Sequence, residues 1–240
     1  MPLAQTALLP ERLIAQVKEA GRALPGGTAA FDADGTLWRD DVGEAFLKQL
    51  VHVGLVKLPD GRDPYEAYEA RVHQDRGAGF AYAAQLQAGV PESALVAEAK
   101  KLAPEFVPSR LIASTQALLA LCTESGLRTF VVSASPIQIV RAAAPLAGVP
   151  VERLFGMTVR LDAQGRCTDE LAGPSTYAEG KVQTLVLARL MPLALGCGDS
   201  IFGDLALLSA ARVPVVVAPE GGNALAEEGA RRGWARVSGD

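Results

Sequence analysis

The apolar residues Leu13, Ile14, Val17, Ala20 and Leu24 recur three and four apart before a PGG stop, and this spacing predicts a helix over 10–24. TAAFD, which follows, is an apolar run of strand length. Three more such runs come later, RTFVVSAS, PLALGCGD and VPVVVAP, the last the richest in β-branched residues. Helical periodicity follows each of them. Beyond VVSAS, Ser135 is expected to cap a helix with Pro136 at its first position, continuing through Ile137, Ile139 and Val140. GKVQTLVLARL is expected as a helix before the third run, and FGDLALLSAAR as one after it. Strands alternating with helices in this way predict an α/β fold whose parallel sheet is covered on both faces.

Two segments interrupt the alternation. GMTVRLDAQGRCTDEL, residues 156–171, alternates apolar and polar positions about a DAQG turn and predicts a β-hairpin. Between Trp38 and Pro108, DVGEAFLKQLV, PYEAYEARVHQ, FAYAAQLQAG and PESALVAEAKKLA predict three or four short helices separated by Gly and Pro, a helical insertion after the first strand. This insertion holds Trp38, Phe46, Tyr65, Tyr68, Phe80, Tyr82 and Phe106, seven of the chain's 13 aromatics.

With 240 residues and 49% hydrophobic content, the chain can bury one sizeable core with a smaller unit appended. A net charge of −4 and scattered Lys and Arg give no basic footprint, which argues against nucleic acid or an anionic membrane as partner. Cys122, Cys167 and Cys197 are odd in number and far apart, as for reduced thiols. MPLAQTALLPERL has no basic start and does not read as a signal peptide. No apolar run approaches the roughly 20 residues of a spanning helix, so a cytoplasmic protein is expected.

Candidate chemistry begins at DADGT. An EF-hand loop needs its Gly at the sixth position and a Glu at the twelfth, whereas here Gly35 is fourth and a strand precedes it. A plain Asp-Gly turn is the other reading, and context decides between them. In open parallel sheets ligands sit beyond the carboxyl ends of the strands. Asp32 and Asp34, Ser133, and Asp199 with Asp204 all fall at such ends, and Lys181 falls at a helix start.

In that order the residues closely resemble the haloacid-dehalogenase superfamily of hydrolases, and within it the phosphoserine-phosphatase-like branch. FDADGTLW resembles its first motif, VVSAS its second, the YAEGK lysine its third and GDSIFGD its fourth. The resemblance implies a Rossmann-like three-layer α/β/α core, residues 1–40 and 109–240, with a central first strand and a helical cap, 41–108, inserted after it. It also implies Mg²⁺-dependent hydrolysis of a small phosphate monoester through an aspartyl-phosphate.

In this scheme Asp32 is the nucleophile, and Asp34 is the acid that protonates the leaving oxygen and later takes a proton from water. Ser133 and nearby backbone N–H groups, Ala134 among them, hold the phosphoryl oxygens, while Lys181 neutralises charge. Asp32, Asp199 and the Asp34 carbonyl are the expected Mg²⁺ ligands; Asp204 orients Lys181 or a metal-bound water, and Gly35 and Thr36 let the chain turn. Dehalogenases of the superfamily lack an acid at the place of Asp34, which favours phosphoester hydrolysis. Rival readings are a phosphotransferase of the same fold and a non-catalytic protein that binds a phosphorylated ligand.

Other residues have plainer readings. GPSTYAEGKV departs from a P-loop in spacing, with Val182 in place of the Ser or Thr, and His52 and His73 lack a second ligand at metal spacing. Substrate choice falls to the cap, where the branch uses an acidic residue and an arginine to bind an amino acid. Asp41 or Glu44, and Arg71 or Arg76, are the candidates. The cap aromatics suggest a quaternary ammonium as in phosphocholine, or simply the core of a helical bundle.

Overall fold

The structure, a computed structural model, describes residues 8–240; the start of the stretch read for a signal peptide, residues 1–7, lies outside the described residues. Helix α1 (Glu11–Ala23) turns Leu13, Val17 and Ala20 inward, as their spacing requires. It leads into β1 (Thr28–Phe31), whose four residues are all buried. Alternate side chains of β1 enter different clusters: Ala29 and Phe31 join one with Leu13, Val17, Leu118 and Leu121, and Ala30 joins another with Leu185, Leu207 and Leu225. Both faces of the strand are therefore covered, and a strand with two apolar faces reads as a continuous apolar run.

The remaining strands are β2 (Arg128–Pro136), β3 (Leu154–Met157), β6 (Leu193–Gly198), β7 (Ala211–Ala218) and β8 (Ala235–Ser238), with β4 (Val159–Leu161) and β5 (Cys167–Leu171) forming a separate antiparallel pair. The main sheet runs β3-β2-β1-β6-β7-β8, all parallel, with β1 inside it as expected. Helix α6 (Ala113–Glu124) lies with α1 on one face, while α8 (Glu179–Leu187), α9 (Leu205–Ser209) and α10 (Ala224–Arg232) cover the other. This is the three-layer α/β/α arrangement. The β4–β5 hairpin turns at Asp162–Gly165, with Gly165 N–H donating to the Asp162 carbonyl at 3.0 Å.

Between β1 and β2 stand the inserted helices α2 (Val42–His52), α3 (Pro64–Gln74), α4 (Arg76–Gln85) and α5 (Glu92–Phe106). Three of them start on an aspartate whose carboxylate accepts backbone N–H groups, Asp41 for α2, Asp63 for α3 and Asp75 for α4. The chain enters and leaves the insertion side by side: Arg39 N–H donates to the Arg110 carbonyl at 2.9 Å and Ile112 N–H to the Leu37 carbonyl at 3.1 Å. Asp40 and Arg110 pair across the same stem at 3.0 Å.

Two strands and one cap depart from expectation. β3 and β8 are absent from the sequence reading; β3 takes up Gly156 and Met157, the expected first residues of the hairpin. Ser135 caps no helix, because β2 runs on to Pro136, and α7 (Ile137–Ala143) begins only after it. Among the described residues no helix is long and apolar enough to cross a membrane.

Candidate active site

The β1 ladder continues one residue past the strand, where Asp32 N–H donates to the Cys197 carbonyl at 2.9 Å and places the Asp32 side chain at the carboxyl edge of the sheet. Lys181, in the first turn of α8, reaches it: Nζ lies 2.5 Å from Asp32 Oδ1 and 2.6 Å from Asp204 Oδ1. Asp204 Oδ2 accepts N–H bonds from Asp199 and Ser200, each at 3.0 Å. Both Asp204 oxygens are thus occupied, and its carboxylate serves as the clamp that holds Lys181 and shapes the loop after β6.

Asp34 is held by three donors. Its Oδ1 accepts from the Trp38 indole at 2.8 Å and from Val42 N–H at 2.7 Å, and its Oδ2 from the Ser135 hydroxyl at 2.7 Å. Gly35, at φ +73°, turns the chain with its N–H on the Trp38 carbonyl at 2.9 Å, and a Cβ there would strike the Asp199 carboxylate. Thr36 Oγ1 donates to Asp199 Oδ1 at 3.2 Å.

Charge in this cluster is unbalanced, since several carboxylates surround one ammonium. Burial and the neighbouring Asp204 charge push Asp199 up to about 7, and the same two causes raise Asp32 despite Lys181. Burial also raises Asp34, against its three donors. Lys181 moves up because Asp204 and Asp32 outweigh its own burial. Asp32, Asp199 and Asp204 bring carboxylate oxygens within 4.8 Å of one another. With Asp204 already committed to Lys181 and two backbone N–H groups, Asp32 and Asp199 are the pair suited to a hard divalent cation, whose charge would relieve the excess.

A cavity of about 160 Å³ opens over these groups, and Asp41, Arg76 and Ala134 reach its wall. Asp41 stands there at the head of α2, with burial and the Asp34 charge raising it to about 7. Glu44 and Arg71 lie outside the wall: Glu44 bonds Lys48 at 2.7 Å and the Tyr65 hydroxyl, and Arg71 stacks 4.9 Å over the Tyr82 ring. Ser133 is fully buried beneath the wall, with its Oγ accepting from Ser135 N–H at 3.0 Å. Of the insertion's aromatics only Phe80 lines the cavity; Trp38, Phe46, Tyr68 and Phe106 are buried in the core, the bundle-core alternative. Sequence reasoning missed Ser135 as a partner of Asp34 and Tyr177 as part of the wall.

The family model for haloacid dehalogenase-like hydrolases matches residues 29–209, which spans every one of these groups. The chain belongs to that family. Solved structures share the hydrolase's fold at low identity. A protein of unknown function from Bordetella pertussis Tohama I is 21% identical with a TM-score of 0.74, over 90% of this chain and 100% of that one. A HAD family hydrolase from Salmonella enterica serovar Typhi is 19% identical with a TM-score of 0.60, over 96% and 77%. A substrate-bound phosphoserine phosphatase is 12% identical with a TM-score of 0.58, over 90% and 93%. No curated protein matches the chain.

Proposed function

We propose that this hydrolase is a Mg²⁺-dependent phosphatase acting on a small phosphate monoester through an aspartyl-phosphate on Asp32. The observation that carries the reading is the Asp32–Lys181–Asp204 chain, with Asp34 held apart from it by its own donors. Two carboxyl groups two residues apart are thereby given unlike surroundings, which suits one to attack and the other to move a proton.

Asp32 attacks phosphorus, a P–O bond forms to its carboxylate, and the ester P–O bond breaks with the electron pair going to the leaving oxygen. Asp34 gives that oxygen its proton and then takes one from the water that cleaves the acyl phosphate, releasing inorganic phosphate. Lys181 offsets anionic charge beside the nucleophile, and the backbone N–H of Ala134, on the cavity wall, is the proposed donor to the phosphoryl oxygens, while Ser133, buried beneath the wall, holds the Ser135 N–H. Asp32, Asp199 and the Asp34 carbonyl would hold Mg²⁺, which supplies positive charge against the phosphoryl oxygens.

Asp41 and Arg76, opposite in charge and both on the cavity wall, support a substrate that carries an ammonium and a carboxylate, as phosphoserine does. Residues 41–108 act as the cap that shuts water out during transfer, and the cytoplasm, where such metabolites are found, is the proposed setting. Asp32→Asn is expected to lose about a thousandfold or more in release of phosphate from a short alkyl phosphate monoester such as phosphoserine with Mg²⁺ present. Near-normal turnover by that variant overturns the mechanism.

A further inference from the structure

The cavity wall contains a pair of rings drawn from two different parts of the fold. Phe80 comes from α4 in the insertion, and Tyr177 comes from the loop that leads into α8; their centroids are 5.2 Å apart with planes inclined at 38°. Both line the cavity above Asp32 and Lys181.

The Tyr177 ring has glycine backbone on two sides. A Cβ added at Gly77 of α4 would stand 3.4 Å from its Cδ1, and one at Gly203, beyond β6, 3.5 Å from its Cε2. Each of these glycine positions thus has room for a methyl group. The chain that carries Tyr177 is pinned: Thr176 Oγ1 donates to the Ser133 carbonyl at 2.6 Å, and Gly180 N–H to the Tyr177 carbonyl at 2.9 Å. Ala178, next in line, sits at φ +50°, a conformation that alanine adopts only at an energetic cost.

The space left for substrate is small. Sites for drug-sized ligands offer about 300–1,000 Å³, and this half-open cavity offers about 160 Å³. We infer that Phe80 and Tyr177 form a size barrier that restricts the enzyme to phosphate monoesters of short acyclic alcohols and rejects ring-bearing leaving groups. The inference deepens the phosphatase reading and takes from it the position of the phosphoryl group at Asp32.

Non-hydrolysable methylphosphonate and phenylphosphonate test it by calorimetry in the presence of Mg²⁺. The unsubstituted protein is expected to bind methylphosphonate about tenfold or more tightly than phenylphosphonate. Tyr177→Ala and Phe80→Ala, made separately in case either fails to fold, should reduce that ratio to about threefold or less, whereas Tyr177→Phe, which keeps the ring, should preserve it. Equal affinity in the unsubstituted protein, a ratio unmoved by both alanine variants, or no binding of either phosphonate overturns the barrier. Turnover of alkyl monoesters is measured alongside. Size-selective binding without hydrolysis of any monoester sinks the phosphatase reading and leaves the barrier standing.

Discussion

Asp41 shows how much a single carboxylate can be made to do. It begins α2 by accepting the Glu44 N–H at 2.8 Å and also reaches the cavity wall, where burial lifts it from its ordinary 3.8 to about 7. A carboxyl raised on folding binds its proton more tightly in the native state. Its contribution to stability is therefore complete below about pH 4 and is lost as pH rises through about 7. Asp41→Asn keeps an acceptor for the Glu44 N–H and removes the titration, so its urea midpoint without Mg²⁺ should fall less between pH 4 and 7 than that of the unsubstituted protein; parallel falls contradict the assignment. At this scale the first, third and fourth motifs were legible because Asp32, Lys181 and Asp199 sit at element ends that periodicity can locate. Ser135 was not, since a serine before Pro136 reads as a cap, and nothing local shows that its hydroxyl donates to Asp34, 101 residues away. Tyr177 gave no signal either, being a lone aromatic in a loop whose partner Phe80 is distant in sequence.

The element that matters most is the turn after β1. Gly35 there is constrained twice, by its positive φ and by the Asp199 carboxylate lying where a side chain would go. Gly26 has a similar φ, +70°, and open space around it. Gly35→Ala should cost about 1–3 kcal/mol in denaturant unfolding and weaken Mg²⁺ binding, while Gly26→Ala suffers the conformational penalty of about 1 kcal/mol alone. Equal effects of the two would leave the contact with Asp199 without consequence. Among the strands, β1, β2, β6 and β7 announced themselves by apolar runs, β7 through the consecutive Val215, Val216 and Val217. β8 has a single buried residue in four, Val237, and β3 is an edge strand with Gly156 inside it. Such short pieces become strands because a neighbour offers them a ladder, information that tertiary contact alone supplies.

Across the whole molecule, the parallel sheet gathers residues from four distant stretches at one edge and leaves their negative charge in excess. Cation binding and folding should then be linked. Mg²⁺ at a hundredfold excess over its Kd should stabilise the protein by about 2.7 kcal/mol, read as a rise in thermal midpoint, and Asp199→Asn should lose most of that rise. An unchanged rise in this variant would remove Asp199 from the metal site. The alternation of strands and helices made the layered core legible, and the run of amphipathic segments marked the insertion, but the route by which the chain joins them was not written in either pattern. That route has an evolutionary consequence. Leu37–Arg39 leaves the core hydrogen-bonded to the stretch Arg110–Ile112 that returns to it, so the insertion departs and arrives at one place, like a branch grafted onto a trunk. Segments of other lengths and shapes can be exchanged at that graft while Asp32 keeps its place on the β1 ladder, and the surface facing the cavity can change without rebuilding the sheet edge beneath it.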